Sequence, residues 1–338
     1  MVAQIDKAYI KARPSRLWSR LISYGCFEGR PLTTRGRWIN PLVFAAFGLQ
    51  KRIPALRRVR EPAFILGTGR SGTTILGIVL SMHRRVGFLN EPKALWHSLY
   101  AGEDLIGSYS MGNANYRVPP NVATPAVTRQ AHRIFGHYLW ITGNQRVVDK
   151  YPELIFRVPF VQKIFPDAKF IFLSRDGWST SSSIMTWSAK FGQHEGGHSA
   201  DWWGQDGRKW TLLIDQIVPE HKDLAPHADF LRGLTDQRLR AVVEWIVTMR
   251  EGLRLVAEQP EAVIHLRYED LCAEPDEQME RLLRALNLPE DEVFRDYARS
   301  VLRPVAAADP FPLPNVLQGP FHETQLRLGY ETAGTDYA

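Results

Sequence analysis

The sequence predicts an α/β fold, a central parallel sheet with helices on both faces in three layers. Three observations carry this. The apolar run Ala63-Phe64-Ile65-Leu66 starts after Pro62 and stops at Gly67, as a buried strand entering a glycine loop does. A second run, Lys169-Phe170-Ile171-Phe172-Leu173-Ser174, stops at Arg175-Asp176-Gly177. Strand-like and helix-like stretches alternate along the chain, with no internal repeat, which is the pattern of a parallel sheet.

Residues 1–60 read as an irregular basic extension, in which Trp18, Leu21 and Ile22 form one face of a short helix; residues 61–338 read as one domain. After Gly72, the positions Ile75, Leu76, Ile78, Val79, Leu80 and Met82 predict a buried helix, completing a strand, glycine loop and helix in series. Val86 to Leu89 reads as a short strand, followed by Asn90-Glu91-Pro92. Residues 101–124 are rich in Gly, Asn, Ser and Pro without a period and predict a long binding loop. Helices are expected over 126–141 and, amphipathic, over 153–165, with a brief strand at Val147-Val148 between them. Beyond the strand at 169–174 come a helix over 178–187 and a Gly/His/Trp-rich loop over 188–209. A long helix over 236–258, a strand from Ala262 to Leu266 and a helix over 275–287 follow, and the proline-rich last forty residues show little period.

The chain has 338 residues, 44% hydrophobic and 23% charged, enough for one large core. Two cysteines, Cys26 and Cys272, make no disulfide framework, so a reducing, cytoplasmic setting is the simpler expectation. The longest apolar run, Pro41 to Leu49, is about half the ~20 residues that span a bilayer. The N-terminus has charge but no long apolar stretch, so no leader peptide is expected. The net charge of +6 is uneven: residues 1–60 hold thirteen Lys/Arg against Asp6 and Glu28. Such an arm either lies solvated on the body or meets something anionic: a membrane surface, nucleic acid or a phosphorylated ligand. No nucleic-acid reading motif accompanies it; a solvated extension and peripheral contact with a membrane that holds a lipid acceptor both stay open.

The stretch Gly67-Thr68-Gly69-Arg70-Ser71-Gly72-Thr73-Thr74 keeps the glycine spacing of a phosphate loop, but Thr73 stands where the lysine belongs. Backbone N–H groups aimed from a helix N-terminus bind phosphate-like anions without a lysine. Ser71, Gly72, Thr73 and Thr74 are placed to supply them, with the hydroxyls of Ser71, Thr73 and Thr74 as further donors. Arg70 adds a planar, bidentate charge. A kinase would want the missing lysine and an acid for magnesium; Asp176 follows a strand, but Arg175 directly precedes it. No metal is expected. Arg175 ends the strand at 169–174, and Ser183 lies eight residues on, about two helical turns, so both can face one anion at the carboxyl edge of the sheet.

Together these stretches resemble the sulfotransferases that use 3′-phosphoadenosine 5′-phosphosulfate (PAPS). Gly69-Arg70-Ser71-Gly72-Thr73-Thr74 is similar to that family's 5′-phosphosulfate loop, except that Gly69 replaces the usual proline. Arg175 and Ser183 are similar to its 3′-phosphate motif, and Tyr268-Glu269-Asp270-Leu271 to a segment near the adenine. The resemblance covers about residues 62–290 and implies a fold like that of the P-loop nucleotide hydrolases. It also implies PAPS as donor and Tyr268 as an adenine contact. Ile75 stands where cytosolic members carry a stacking tryptophan, and their C-terminal glycine-rich loop is not visible in residues 303–338.

The same resemblance, now to tyrosylprotein and some bacterial carbohydrate sulfotransferases, makes Glu91 the general base. Its other reading is a surface acid at the start of a helix. Cytosolic members use a histidine, for which His83 and His97 are nearest. Lys150 is the candidate for charge on the leaving group, with Arg70 as the alternative and a snorkelling surface lysine as the bland reading. The loops at 101–124 and 188–209, the latter with Trp202-Trp203, are expected to gate a hydroxyl-bearing acceptor such as a carbohydrate, glycolipid or small metabolite. A nucleotide-dependent kinase and a non-catalytic nucleotide-binding module stay open as alternatives.

Overall fold

The structure is a computed structural model and describes residues 4–195 and 198–330. Its main sheet has five strands: β1 (Ala63–Leu66), β2 (Val86–Asn90), β3 (Arg146–Lys150), β4 (Lys169–Ser174) and, late in the chain, β8 (Val263–Arg267). Their order is β2-β3-β1-β4-β8, and every pairing is parallel. All five carboxyl ends therefore lie on one edge. The chain leaves β1 towards β2 and β3 on one side and returns to β4 on the other, so β1 stands at the switch point where open α/β sheets bind ligands.

Side chains alternate across the sheet and build a core on each face. Phe64, Leu66, Leu89, Val147, Phe170 and Phe172 point to one side, under the helices Pro125–Thr142, Val158–Ile164 and Gln237–Glu258. Ala63, Ile65, Phe88, Val148, Ile171 and Leu173 point to the other, under the helices Thr73–Met82, Pro275–Ala285 and Glu292–Val301. This is the expected three-layer arrangement.

Three stretches differ from the sequence reading, while the long loop expected over 101–124 is present and held in place. The helix expected over 153–165 is two pieces, a 3-10 turn at Pro152–Arg157 and an α-helix at Val158–Ile164. Arg157 breaks them apart: its backbone leaves the helical region (φ −126°) while its buried guanidinium binds the carbonyls of Glu103 and Asn115. The region 101–124 is pinned down. Asp104 accepts the N–H groups of Ser108, Tyr109 and Ser110, and Arg117 bridges Glu220 and Glu251. Beyond a helix that runs on to Phe191, a small antiparallel sheet (β5, Gln193–Glu195; β6, His198–Asp201; β7, Gly204–Gln205) replaces much of the expected loop over 188–209. The tail forms a helix, Asn315–Arg327, whose buried face includes Thr324 and Gln325, so its period is hidden from a hydrophobicity reading.

The N-terminal segment packs against the body. In its helix Arg16–Ile22 the polar side faces inward: Arg16, Ser19 and Arg20 are buried while Trp18 is 62% exposed. Trp18 and Leu21 thus lie on the outer face, while Ile22, expected on the same face, packs against the core. Arg20 donates two hydrogen bonds to the Glu28 carboxylate (2.5 and 3.0 Å) and a third to the carbonyl of Phe88. Glu28 in turn accepts the N–H of Asn90 (2.8 Å), which ties this segment to the end of β2. Phe27, Val43 and Phe47 join the core of the first face. Among the described residues no helix is long and apolar enough to cross a membrane.

Candidate active site

An open cleft of roughly 1210 Å³ runs along the carboxyl edge of the sheet. Each strand ends in a residue singled out from the sequence or leads directly into one. The glycine loop follows β1, Glu91 follows β2, Lys150 ends β3, Arg175 follows β4 and Tyr268 follows β8. Parallel strands make this convergence automatic, because chain direction puts every such position on the same edge.

The loop after β1 needs its glycines. Gly67 and Gly72 hold φ of +145° and +91°, and Arg70 also lies in the left-handed region at +70°. A Cβ on Gly72 would sit 2.2 Å from the Tyr268 ring, and one on Gly69 would sit 2.3 Å from the Trp202 ring. Trp202 therefore occupies the space that a proline ring at position 69 would take. Gly72 caps the helix Thr73–Met82, whose first turn opens into the cleft with Gly72, Thr73 and Thr74 along its wall. First-turn N–H groups lack intrahelical partners and offer themselves to an anion. Ser71 departs from expectation: it is fully buried, and both its hydroxyl (2.6 Å) and its N–H (3.2 Å) go to the carbonyl of Thr68. It holds the turn instead of facing the cleft.

The two arginines meet at this loop. Arg70 donates from Nε to the Ser183 hydroxyl (3.1 Å), and Arg175 donates to the Arg70 carbonyl (3.0 Å). Arg175 also lies over the Tyr268 ring, 4.7 Å from its centroid. Burial and then the neighbouring Arg175 push the Arg70 pKa down, while Glu91 opposes them weakly. Two arginines at one loop, beside a helix N-terminus, make an electropositive end of the cleft suited to an anion. Asp176 is engaged elsewhere: it caps its own helix through Ser179 N–H (2.7 Å) and accepts from Gln325 (2.7 Å).

Glu91 sits across the cleft, its side chain 35% exposed and its backbone left-handed (φ +50°). It receives a hydrogen bond from the ammonium of Lys150, which is 3% exposed and so no surface lysine. Lys93 approaches the other carboxylate oxygen at 3.6 Å. Burial raises the Glu91 carboxyl, but Lys150 and Lys93 lower it more, and its pKa falls below the ordinary glutamate value. The charges continue inward. Lys93 meets Glu153 (3.7 Å), Glu153 meets Lys209 (3.5 Å), and Lys209 meets Glu244 (2.5 Å), which accepts the indole N–H of Trp202 (2.6 Å). Burial works against the charge on Glu153, and Lys93 with Lys209 overcomes it, holding that carboxyl at about 2.

The sequence reading missed Lys93, Glu153, Lys209 and Glu244. A faint signal was available in Glu91-Pro92-Lys93 and Lys150-Tyr151-Pro152-Glu153, opposite charges across a proline after two strands that prove adjacent. It also missed that Tyr24 and Gly29 to Arg35 wall the cleft. The tryptophan pair divides: Trp203 is fully buried in the core, and Trp202 faces the cleft with its edge against Trp187. The loop over 101–124, expected to gate the acceptor together with 188–209, contributes Ile106 to the cleft wall. His83 bonds to the Pro289 carbonyl (2.9 Å), and His97 packs against Phe44 and Tyr109; neither lines the cleft.

Comparison with known proteins gives a family. The model of the sulfotransferase family matches residues 62–232, half of the chain. The omega-hydroxy-beta-dihydromenaquinone-9 sulfotransferase of Mycobacterium tuberculosis is 26% identical over 169 residues, covering 50% of this chain and 35% of that one. The nodulation protein NoeE of Sinorhizobium fredii is 24% identical over 144 residues, covering 38% and 32%. These matches span about a third of the length of the curated relatives. Among solved structures, the sulfotransferase STF9 from Mycobacterium avium aligns with a TM-score of 0.46 at 14% identity, covering 98% of this chain and 93% of that one. A sulfotransferase domain from the curacin biosynthetic pathway aligns with a TM-score of 0.45 at 15% identity, covering 81% and 99%.

Proposed function

The chain belongs to the sulfotransferase family, and from that premise we propose that it moves a sulfuryl group from PAPS to an acceptor hydroxyl. Glu91 acts as the general base in this reading. One observation carries it: Glu91 and Lys150, at the ends of adjacent strands, form an ion pair that faces the double-arginine loop within one cleft. The donor supplies an activated sulfur and a stable leaving group. The N–H groups of Gly72, Thr73 and Thr74, with Arg70, hold its 5′ side, and Arg175 and Ser183 hold its 3′-phosphate. Tyr268 lies beside them for the adenine.

Glu91 takes the acceptor proton as the new oxygen–sulfur bond forms and the bridging sulfur–oxygen bond breaks. Lys150, with Arg70 behind it, faces the negative charge that develops on the leaving oxygen. The ion pair links these roles. While Lys150 stays on Glu91, the carboxylate is a weak base. An anion arriving at the loop draws the ammonium towards itself, and the carboxylate regains basicity. Asp176, with both oxygens engaged, and Thr73 in the lysine position give the kinase reading less support.

The acceptor we propose is a hydroxyl on a lipid, glycan or small metabolite. A relative is named for a hydroxylated menaquinone, which is of this class. The basic N-terminal segment is our candidate for contact with an anionic membrane.

Calorimetric titration with adenosine 3′,5′-bisphosphate tests the donor. Binding is expected without metal, and Arg175→Ala should weaken it at least tenfold, the loss of one charged hydrogen bond. Glu91→Gln should keep that binding and abolish turnover in an acceptor screen. A preference for magnesium-ATP, indifferent to the 3′-phosphate, would overturn the reading.

A further inference from the structure

We propose that the outer face of the helix Asn40–Gln50, with Trp38 before it and Ile53 after it, docks on an anionic lipid bilayer. The proposal deepens the reading of the N-terminal segment as membrane-facing, and rests on it. The helix is apolar on both sides. Val43 and Phe47 point inward and are buried, while Leu42 and Leu49 point outward at 64% and 61% exposure. Trp38, at 78%, and Ile53, at 39%, extend the outer stripe. Pro41, Ala45 and Gly48 fill it at helical spacing, so no polar side chain interrupts the exposed positions from Trp38 to Leu49. A helix lying on a water-facing surface carries polar residues outward. An exposed stripe of this make-up marks an interaction surface.

Charge identifies the occupant. No acid occurs between Gly29 and Arg60, and the cations collect at the two ends of the stripe: Arg35 and Arg37 before it, Lys51, Arg52, Arg57 and Arg58 after it. Arg37, Lys51 and Arg57 donate to the backbone carbonyls of Ser108, Ser98 and Asn144, contacts that leave the charge unneutralised. Among the described residues none of these six has a carboxylate at ion-pair distance. Apolar side chains between basic ends suit an interfacial helix on anionic lipid, and the stripe is too short to span the bilayer. A second copy fits poorly, because pairing this face with itself brings like charges together. The same segment continues back into Leu32 to Arg35 on the cleft wall, and the helix packs on Lys93–Leu99 through Phe44 against His97. Docking by this face brings that wall of the cleft to the lipid, where an amphiphilic acceptor is held.

The test is co-sedimentation of the full chain with vesicles of phosphatidylcholine alone and of phosphatidylcholine with a third phosphatidylglycerol. Binding to the mixed vesicles should be at least tenfold stronger, and Leu42→Asp with Leu49→Asp should remove that advantage. Lys7→Glu with Lys11→Glu, on exposed positions away from the face, should leave it. Binding of adenosine 3′,5′-bisphosphate, unchanged in both variants, would show that fold and loop are intact. Loss of vesicle binding in the lysine variant but not in the leucine variant overturns this face and leaves the segment's membrane role standing. Equal indifference to both vesicles overturns face and role together. A dimer in sedimentation equilibrium that the leucine variant dissociates, without vesicle binding, assigns the face to a second copy and overturns the proposal.

Discussion

Glycine 69 shows how one position is decided by a residue far away in sequence. Its missing Cβ leaves room for Trp202, which caps the loop that Arg70 extends from. Gly69→Ala should push the indole aside and weaken bisphosphate binding, and Trp202→Ala in the same chain should restore it. A double-mutant cycle by calorimetry should show a coupling of about 1 kcal/mol or more, as expected of residues in direct contact. Glu153 makes a pH-dependent prediction. Its carboxyl lies at about 2 in the folded protein against an ordinary 4.5, so its contribution is present above the ordinary value and is lost as pH falls towards 2. Glu153→Gln should lower stability at neutral pH by about 3 kcal/mol, from the pKa difference and the buried lysines left under-compensated. Urea titrations should show the gap from the parent protein narrowing as the pH drops below the glutamate range.

At the scale of elements, the strand ends are held by contacts outside the strands. The buried Arg20–Glu28 pair grips the end of β2 through the Phe88 carbonyl and the Asn90 N–H, one residue before Glu91. Arg20→Ala would leave Glu28 as a buried, unpaired charge, and thermal unfolding should show a loss of about 3–5 kcal/mol. The junction of β1 with its helix is equally constrained. Gly72→Ala meets both a left-handed backbone and the Tyr268 ring. It should weaken bisphosphate binding as well as stability, since relief requires Tyr268 to leave the loop.

For the molecule as a whole, the cleft is assembled from segments far apart in the chain. Its walls run from Tyr24 and Arg35 through the five strand ends to Tyr268. A chain that starts at residue 61 loses Phe27, Val43 and Phe47 from the core and the Arg20–Glu28 pair from β2. Such a chain should aggregate or unfold well below the parent protein, read by its melting curve and by gel filtration. Vesicle-binding experiments therefore call for point variants in the full chain.

The five parallel strands, the glycine loop, Arg70 and Arg175 were legible from local pattern, whereas Glu91, Lys150 and Tyr268 were singled out only through the resemblance to sulfotransferases. Buried strands show as apolar runs, and residues just after parallel strands share an edge without further information. The partners of those residues were not legible. Lys209 and Glu244 come from distant helices, and the charged network forms only once burial brings them beside Lys93 and Glu153. Ser71 reads like a ligand-facing hydroxyl but turns into the loop, because its oxygen finds the Thr68 carbonyl first. The basic segment reads either as an extension solvated on the body or as a partner for something anionic; that Arg16 and Arg20 are buried with their polar face inward is a choice made by the carbonyls of Ser81 and Phe88. Local pattern records what a residue prefers; which charges meet, and which face of a helix is covered, depends on what the fold lays against it.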